Sequence, residues 1–221
     1  DVFATEQPNG MLFIGVDGGQ VVKAYQALIA SGNAAKITAH FLADAAKDAK
    51  TLLDGSLPQA VRDIIAKARG TAPFRSTEPH YDTFATNLKT EFGAVADNFS
   101  FVAQSYDAAY MAAYGLVFAD NFTSPSLDGH TVVAGFKRLV SGTSITVGRS
   151  TWGKAFQLLT EGDEAARTID IRGTSGPLDF DVTTGNAFGP IEIWRPNMAG
   201  TDFETCASCQ PGASCNLAAC L

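Results

Sequence analysis

Three short stretches carry side chains able to hold a small polar molecule. Gly15-Val-Asp17-Gly18-Gly19 stands between an apolar run and a segment with helical spacing. A glycine-rich turn at such a place presents free N–H groups at a helix N-terminus, where anions settle. Asp17 equally suits the role of helix cap. The dinucleotide spacing Gly-x-Gly-x-x-Gly is absent, which argues against a nucleotide loop. His40-Phe41-Leu42-Ala43-Asp44 closes a second expected strand. Ligands in open α/β sheets gather at the carboxyl ends of strands. Asp44 also fits a helix N-cap, and His40 a satisfied surface or core histidine. Gln104-Ser105-Tyr106 closes a third expected strand. Gln104 and Tyr106 have polar tips suited to a wet cleft, Tyr106 suits a core equally, and Asp107 reads as the cap of the next helix.

The four cysteines, Cys206, Cys209, Cys215 and Cys220, lie in the last sixteen residues with spacing C-x2-C-x5-C-x4-C. Two disulfides are the first reading, with three connectivities open. Four thiolates around zinc are the rival, but these spacings match no familiar finger. A Cys-x-x-Cys redox pair belongs at the start of a helix in a thioredoxin-like unit, and no such context surrounds it. A cysteine-free body with an even cluster at its end suits an oxidising compartment.

Catalytic patterns are scarce. The three histidines are His40, His80 and His130, and no Gly-x-Ser-x-Gly elbow, His-Glu-x-x-His pair or Walker loop occurs. A Ser–His–Asp triad can assemble from distant positions, so a secreted α/β hydrolase is one reading, without positive support. A binding module without catalysis, needing no cofactor or metal, is the first expectation.

The elements that would position these groups follow from periodicity. Met11 to Val16 reads as a buried strand, Gln20 to Ala30 as a helix stopped by Ser31-Gly32-Asn33, Lys36 to Leu42 as a strand and Asp44 to Leu53 as a helix. Strand and helix alternating in this rhythm predict βαβ units and a parallel sheet. After a proline-containing loop from Ala72 to Pro79 come an amphipathic helix from His80 to Phe92, a strand from Phe99 to Ala103 and a buried helix from Tyr106 to Phe118. A polar break follows from Asn121 to Gly129. Then come helices at Thr131 to Leu139 and Thr151 to Leu159, with a brief strand from Ile145 to Val147 between them. Strands at Thr168 to Ile171, Leu178 to Val182 and Ile191 to Trp194, divided by turn residues, suggest an antiparallel meander. Beyond Pro196 the composition is that of a tail.

The chain has 221 residues, 46% hydrophobic and 18% charged, with a net charge of −7. That describes a globular chain with a real core. The acidic balance makes nucleic acid and anionic membranes poor partners. No apolar run reaches the length of a bilayer span; the best, Ala108 to Ala119, is short and holds Tyr110 and Tyr114. A start at Asp1, without methionine or leader, is expected of a cleaved or truncated N-terminus.

Three segments in order resemble one family. They are the unit from Met11 to Leu42, the step Phe101-Val-Ala-Gln-Ser-Tyr106-Asp107-Ala-Ala-Tyr110, and Gly173-Thr-Ser-Gly176-Pro-Leu-Asp-Phe180-Asp181 before Thr184-Gly185 and Ile191 to Trp194. Together they resemble the type I periplasmic solute-binding proteins of ABC transporters, in the branched-chain amino-acid and receptor-ligand-binding group. The likeness runs from about Met11 to Pro196, and the Gly-x-x-Gly-x-x-x-Phe-Asp element is its most specific part.

The resemblance implies two Rossmann-like α/β lobes joined by three crossovers, a ligand held in a cleft, and no catalysis. This chain would be the C-terminal portion of such a protein. Residues 1–72 would belong to the second lobe and 73–173 to the first. Residues 174–198 would cross back, and 199–221 would form a Cys-rich tail. Either a separate N-terminal fragment or a second copy would complete the exposed sheets. The resemblance places Asp17, Gly18, Gly19, Phe41, Asp44, Gln104 and Tyr106 at the ligand, with Asp17 or Asp44 holding an ammonium group and Phe41 an apolar one. The ligand would be a small polar molecule such as an amino acid, and an ABC permease its recipient. The setting would be periplasmic or extracellular, with or without a lipoprotein anchor. The ligand-binding domain of a sensor is the alternative with the same fold.

Overall fold

The computed structural model describes every residue except 1–4, 16, 75, 77, 123–127, 188, 211–214 and 221. The architecture is mixed α/β, with seven α-helices among the described residues. The chain divides into two units. One comprises residues 1–74, 95–101 and 189–221; the other comprises 75–94 and 102–188.

The first unit is built on a five-stranded sheet in the order β1 (Gly10–Phe13), β2 (Ala39–Leu42), β3 (Arg69–Pro73), β7 (Ile191–Pro196), β8 (Phe203–Cys209). β1, β2 and β3 run parallel; β7 is antiparallel to β3 and β8 to β7. The sheet is thus mixed, not purely parallel. Side chains alternate across it. His40, Leu42, Ala72 and Trp194 are buried on one face. There they meet Val21 and Tyr25 of helix α1 (Gly18–Ala30), Leu52 of α2 (Ala49–Leu52) and Val61, Ile64 and Ile65 of α3 (Gln59–Ile65). Leu12 and its cross-strand partner Phe41 lie on the opposite face and are exposed. α1 ends as expected, with Ser31 as C-cap and Gly32 left-handed at φ 72°.

The second unit pairs helices with a three-stranded sheet, β4 (Thr143–Thr146), β5 (Ile169–Gly173) and β6 (Gly176–Pro177). Its helices are α4 (Pro79–Phe92), α5 (Val102–Phe122), α6 (Gly129–Phe136) and α7 (Trp152–Thr160). Tyr114, Leu139, Ile145, Leu159, Ile169 and Ile171 form the core. α5 and α6 cross with backbones nearly touching: a Cβ on Gly135 would stand 2.6 Å from the carbonyl oxygen of Gly115. α6 opens with a reciprocal capping box between Asp128 and Thr131. Among the described residues, no helix is long and apolar enough to cross a membrane.

Several expectations give way. The strand expected at Phe99 to Ala103 does not form, because Phe101 adopts φ 64° and α5 begins at Val102. The helix expected from Asp44 to Leu53 splits into a 3-10 turn at Asp44–Ala46 and a new start capped by Asp48. β2 begins only at Ala39, where the N–H groups of Thr38 and Ala39 both donate to Asn9 O. The meander is absent: β5 pairs with β4 and β6, whereas β7 joins the other sheet. Residues 178–182 contribute one isolated bridge, Phe180 to Ala187. The expected tail holds an edge strand, β8, and both α3 and β3 went unforeseen. Val16, at the end of the first apolar run, and most of the polar break at 121–129 lie outside the described residues.

The cysteines are bonded as Cys206–Cys220 and Cys209–Cys215. No thiolate is left for zinc, and the two cystines fit an oxidising, extracytoplasmic setting. The first fastens the C-terminal turn Ala218–Cys220 to β8. Arg69 Nε donates to Cys220 O, and an Arg195 N–H to Ala219 O, on the same turn.

Candidate functional site

Parallel strands direct their connections to one end of the sheet. In the first unit, β1 runs out toward Asp17 and β2 toward Asp44. Asp17 is the N-cap of α1, its Oδ1 accepting from Gln20 N at 2.8 Å. Gly18 sits in close packing: a Cβ there would stand 3.2 to 3.4 Å from side-chain atoms of Thr51, Asp48 and Leu52. Asp48 in turn accepts from Thr51 N and Thr51 Oγ1. The segment 95–101 returns to this end of the sheet. Ser100 Oγ donates to Asp44 O at 2.7 Å, and Asp48 bridges Phe99.

These contacts border an open pocket of about 310 Å³ lined by Asp17, Gly18, Ala45, Lys47, Asp48, Phe99, Ser100 and Phe101. Lys47 is buried and its ammonium pairs with the buried carboxylate of Glu192 on β7. Glu192 also accepts from Thr205 Oγ1. The lysine charge is therefore matched inside the protein, and the pocket keeps the charge of Asp17 and Asp48. Helix N-termini soften that charge without reversing it. Two carboxylates, one hydroxyl and two phenyl rings suit a solute with hydrogen-bond donors or a cationic head and a small apolar part.

Of the residues expected at a ligand, Asp17 and Gly18 line this pocket. Gly19 follows in the first turn of α1. Asp44 neighbours the lining through Ser100, but its Oδ1 accepts from Ala45 N at 2.8 Å, in the local turn. Phe41 stands on the open face of the sheet and is not part of the lining. Gln104 and Tyr106 belong to the second unit, on α5. Tyr106 packs against Phe84 and Tyr110 at ring distances of 4.9 and 5.0 Å, and its hydroxyl pKa is raised chiefly by burial and also by Tyr110. Lys47, Asp48, Phe99, Ser100 and Phe101 were missed. Their only local signal was an aspartate before a helix.

Asp107 is no cap. It lies buried within α5, and its carboxylate accepts from Thr174 N, Thr174 Oγ1, Ser175 N and Ser175 Oγ at 2.6 to 3.0 Å. The Tyr106-Asp107 step and the Gly173-to-Gly176 turn are thereby joined. His80 Nε2 meets Gly173 O at the same turn. His40 is buried with its ring edge-on to Tyr25 at 5.4 Å. Burial is the main cause that lowers its pKa.

No model of a known protein family matches the chain, and no curated protein matches it significantly.

Proposed function

We propose that the chain is part of an extracytoplasmic solute-binding protein of the type I periplasmic class. It captures a small polar ligand, with amino acids the first candidates, and presents it to an ABC permease. The observation that carries this reading is the pocket at the carboxyl ends of β1 and β2, with Asp17 and Asp48 on its wall and Lys47 neutralised by Glu192. Carboxylates at strand ends suit an ammonium group, and Phe99 and Phe101 suit an aliphatic side chain. The two cystines support the extracytoplasmic setting.

The test is a thermal-shift screen with amino acids and other small metabolites, followed by calorimetry. A specific ligand at a hundred times its Kd adds roughly 2.7 kcal/mol of stability. Asp17→Asn and Asp48→Asn are expected to weaken it by about tenfold or more, the scale of one lost charged hydrogen bond. A screen in which no polar solute raises the melting temperature, or a ligand indifferent to both substitutions, defeats the reading.

A further inference from the structure

Of the eight asparagines, only Asn9 is followed by glycine. Asn9 immediately precedes β1, which Gly10 opens, at the edge of the first unit's sheet. Asn9 O accepts from Thr38 N at 2.8 Å and from Ala39 N at 3.1 Å. In a trans peptide the C=O and N–H point in opposite directions. The Gly10 N–H therefore points to the outer edge of β1, where no described strand pairs with it. Both residues are exposed, and Gly10 has no side chain to shield its nitrogen.

We propose that Asn9–Gly10 is a site of spontaneous deamidation through a succinimide. The Gly10 amide nitrogen, on losing its proton, attacks Asn9 Cγ. A new C–N bond closes the five-membered ring and the Cγ–Nδ2 bond breaks. Nδ2 leaves as ammonia, with the displaced proton. Water then opens the imide at either carbonyl, giving aspartate or isoaspartate. The attack requires the peptide to rotate out of extended geometry, which the first residue of an edge strand reaches by fraying. The isoaspartyl product lengthens the backbone by one methylene and adds a negative charge. It displaces the carbonyl that Thr38 and Ala39 share.

The full chain, aged at neutral and at mildly alkaline pH, is analysed by peptide mapping and isoaspartyl-specific methylation. Conversion is expected at position 9 with isoaspartate in excess, faster at higher pH. Amides of Thr38 and Ala39 should exchange faster in the aged chain. Gly10→Ala should suppress the conversion. The fold accepts it, since the added Cβ would meet nothing closer than Ala39 Cβ at 3.7 Å. Asn9 intact while other asparagines convert, equal rates in Gly10→Ala, or a product without isoaspartate overturns the proposal.

Discussion

His40 has no hydrogen-bond partner for Nδ1 among the described residues, nor has the Tyr25 hydroxyl beside it. Burial favours the neutral imidazole, and nearby Lys67 adds to that preference, while a backbone bond at Ile37 opposes it. The folded pKa therefore lies below the unfolded value of about 6.5. Above that value both states are neutral and stability is full. As pH falls through about 6.5, the unfolded chain binds the proton first, so stability declines until the depressed folded pKa is reached. Urea midpoints measured from about pH 7.5 down to 5 should show this slope, and His40→Gln should flatten it. An unchanged slope would mean that other groups set the acid limit. At this scale the sequence was a partial guide. Asp17 was legible both as a cap and as a pocket residue. Lys47 was not, because its partner Glu192 stands 145 residues away and nothing local marks a buried lysine.

Among the elements, the crossing of α5 and α6 is the least forgiving contact. In Gly135→Ala the new methyl would stand 2.6 to 3.1 Å from the backbone of Gly115, atoms that cannot rotate aside. We expect a loss of about 1–3 kcal/mol, the usual cost of overpacking, seen as a lower urea midpoint with unaltered helix content. A midpoint equal to the parent's would show that the helices stand further apart. Helix positions were read well where amphipathic spacing and caps agreed, as for α1, α4 and α7. Phe99 to Ala103 misled because a short apolar run looks alike in a strand and at a helix entry. Phe101 in the left-handed region carries no sequence mark. Asp107 was misassigned because its four donors, on Thr174 and Ser175, are supplied by a remote turn.

For the whole molecule, alternation of strand and helix conveyed the α/β class, yet the partners of β5 and β7 were beyond it. Both precede turn-rich stretches and look alike, and only tertiary pairing sends one to each sheet. The cystines act on the first unit alone. Cys206–Cys220 closes a loop of about 15 residues, worth about 3 kcal/mol in chain entropy. Reduction, or the pair Cys206→Ser and Cys220→Ser, should speed hydrogen exchange in β7 and β8 and leave α5 and α6 as they were. Equal acceleration everywhere would contradict the division into units.

β3 waits for β7 across more than a hundred residues of intervening chain. Trp194, whose ring is wholly buried and whose Nε1 donates to Thr71 O, arrives only after the whole of the second unit. On the ribosome, residues 1–74 therefore emerge long before their sheet can close, while the second unit is complete first. Of the two units, the one begun first is thus the last to become stable, so a chaperone or export factor that holds nascent chains has its longest task there.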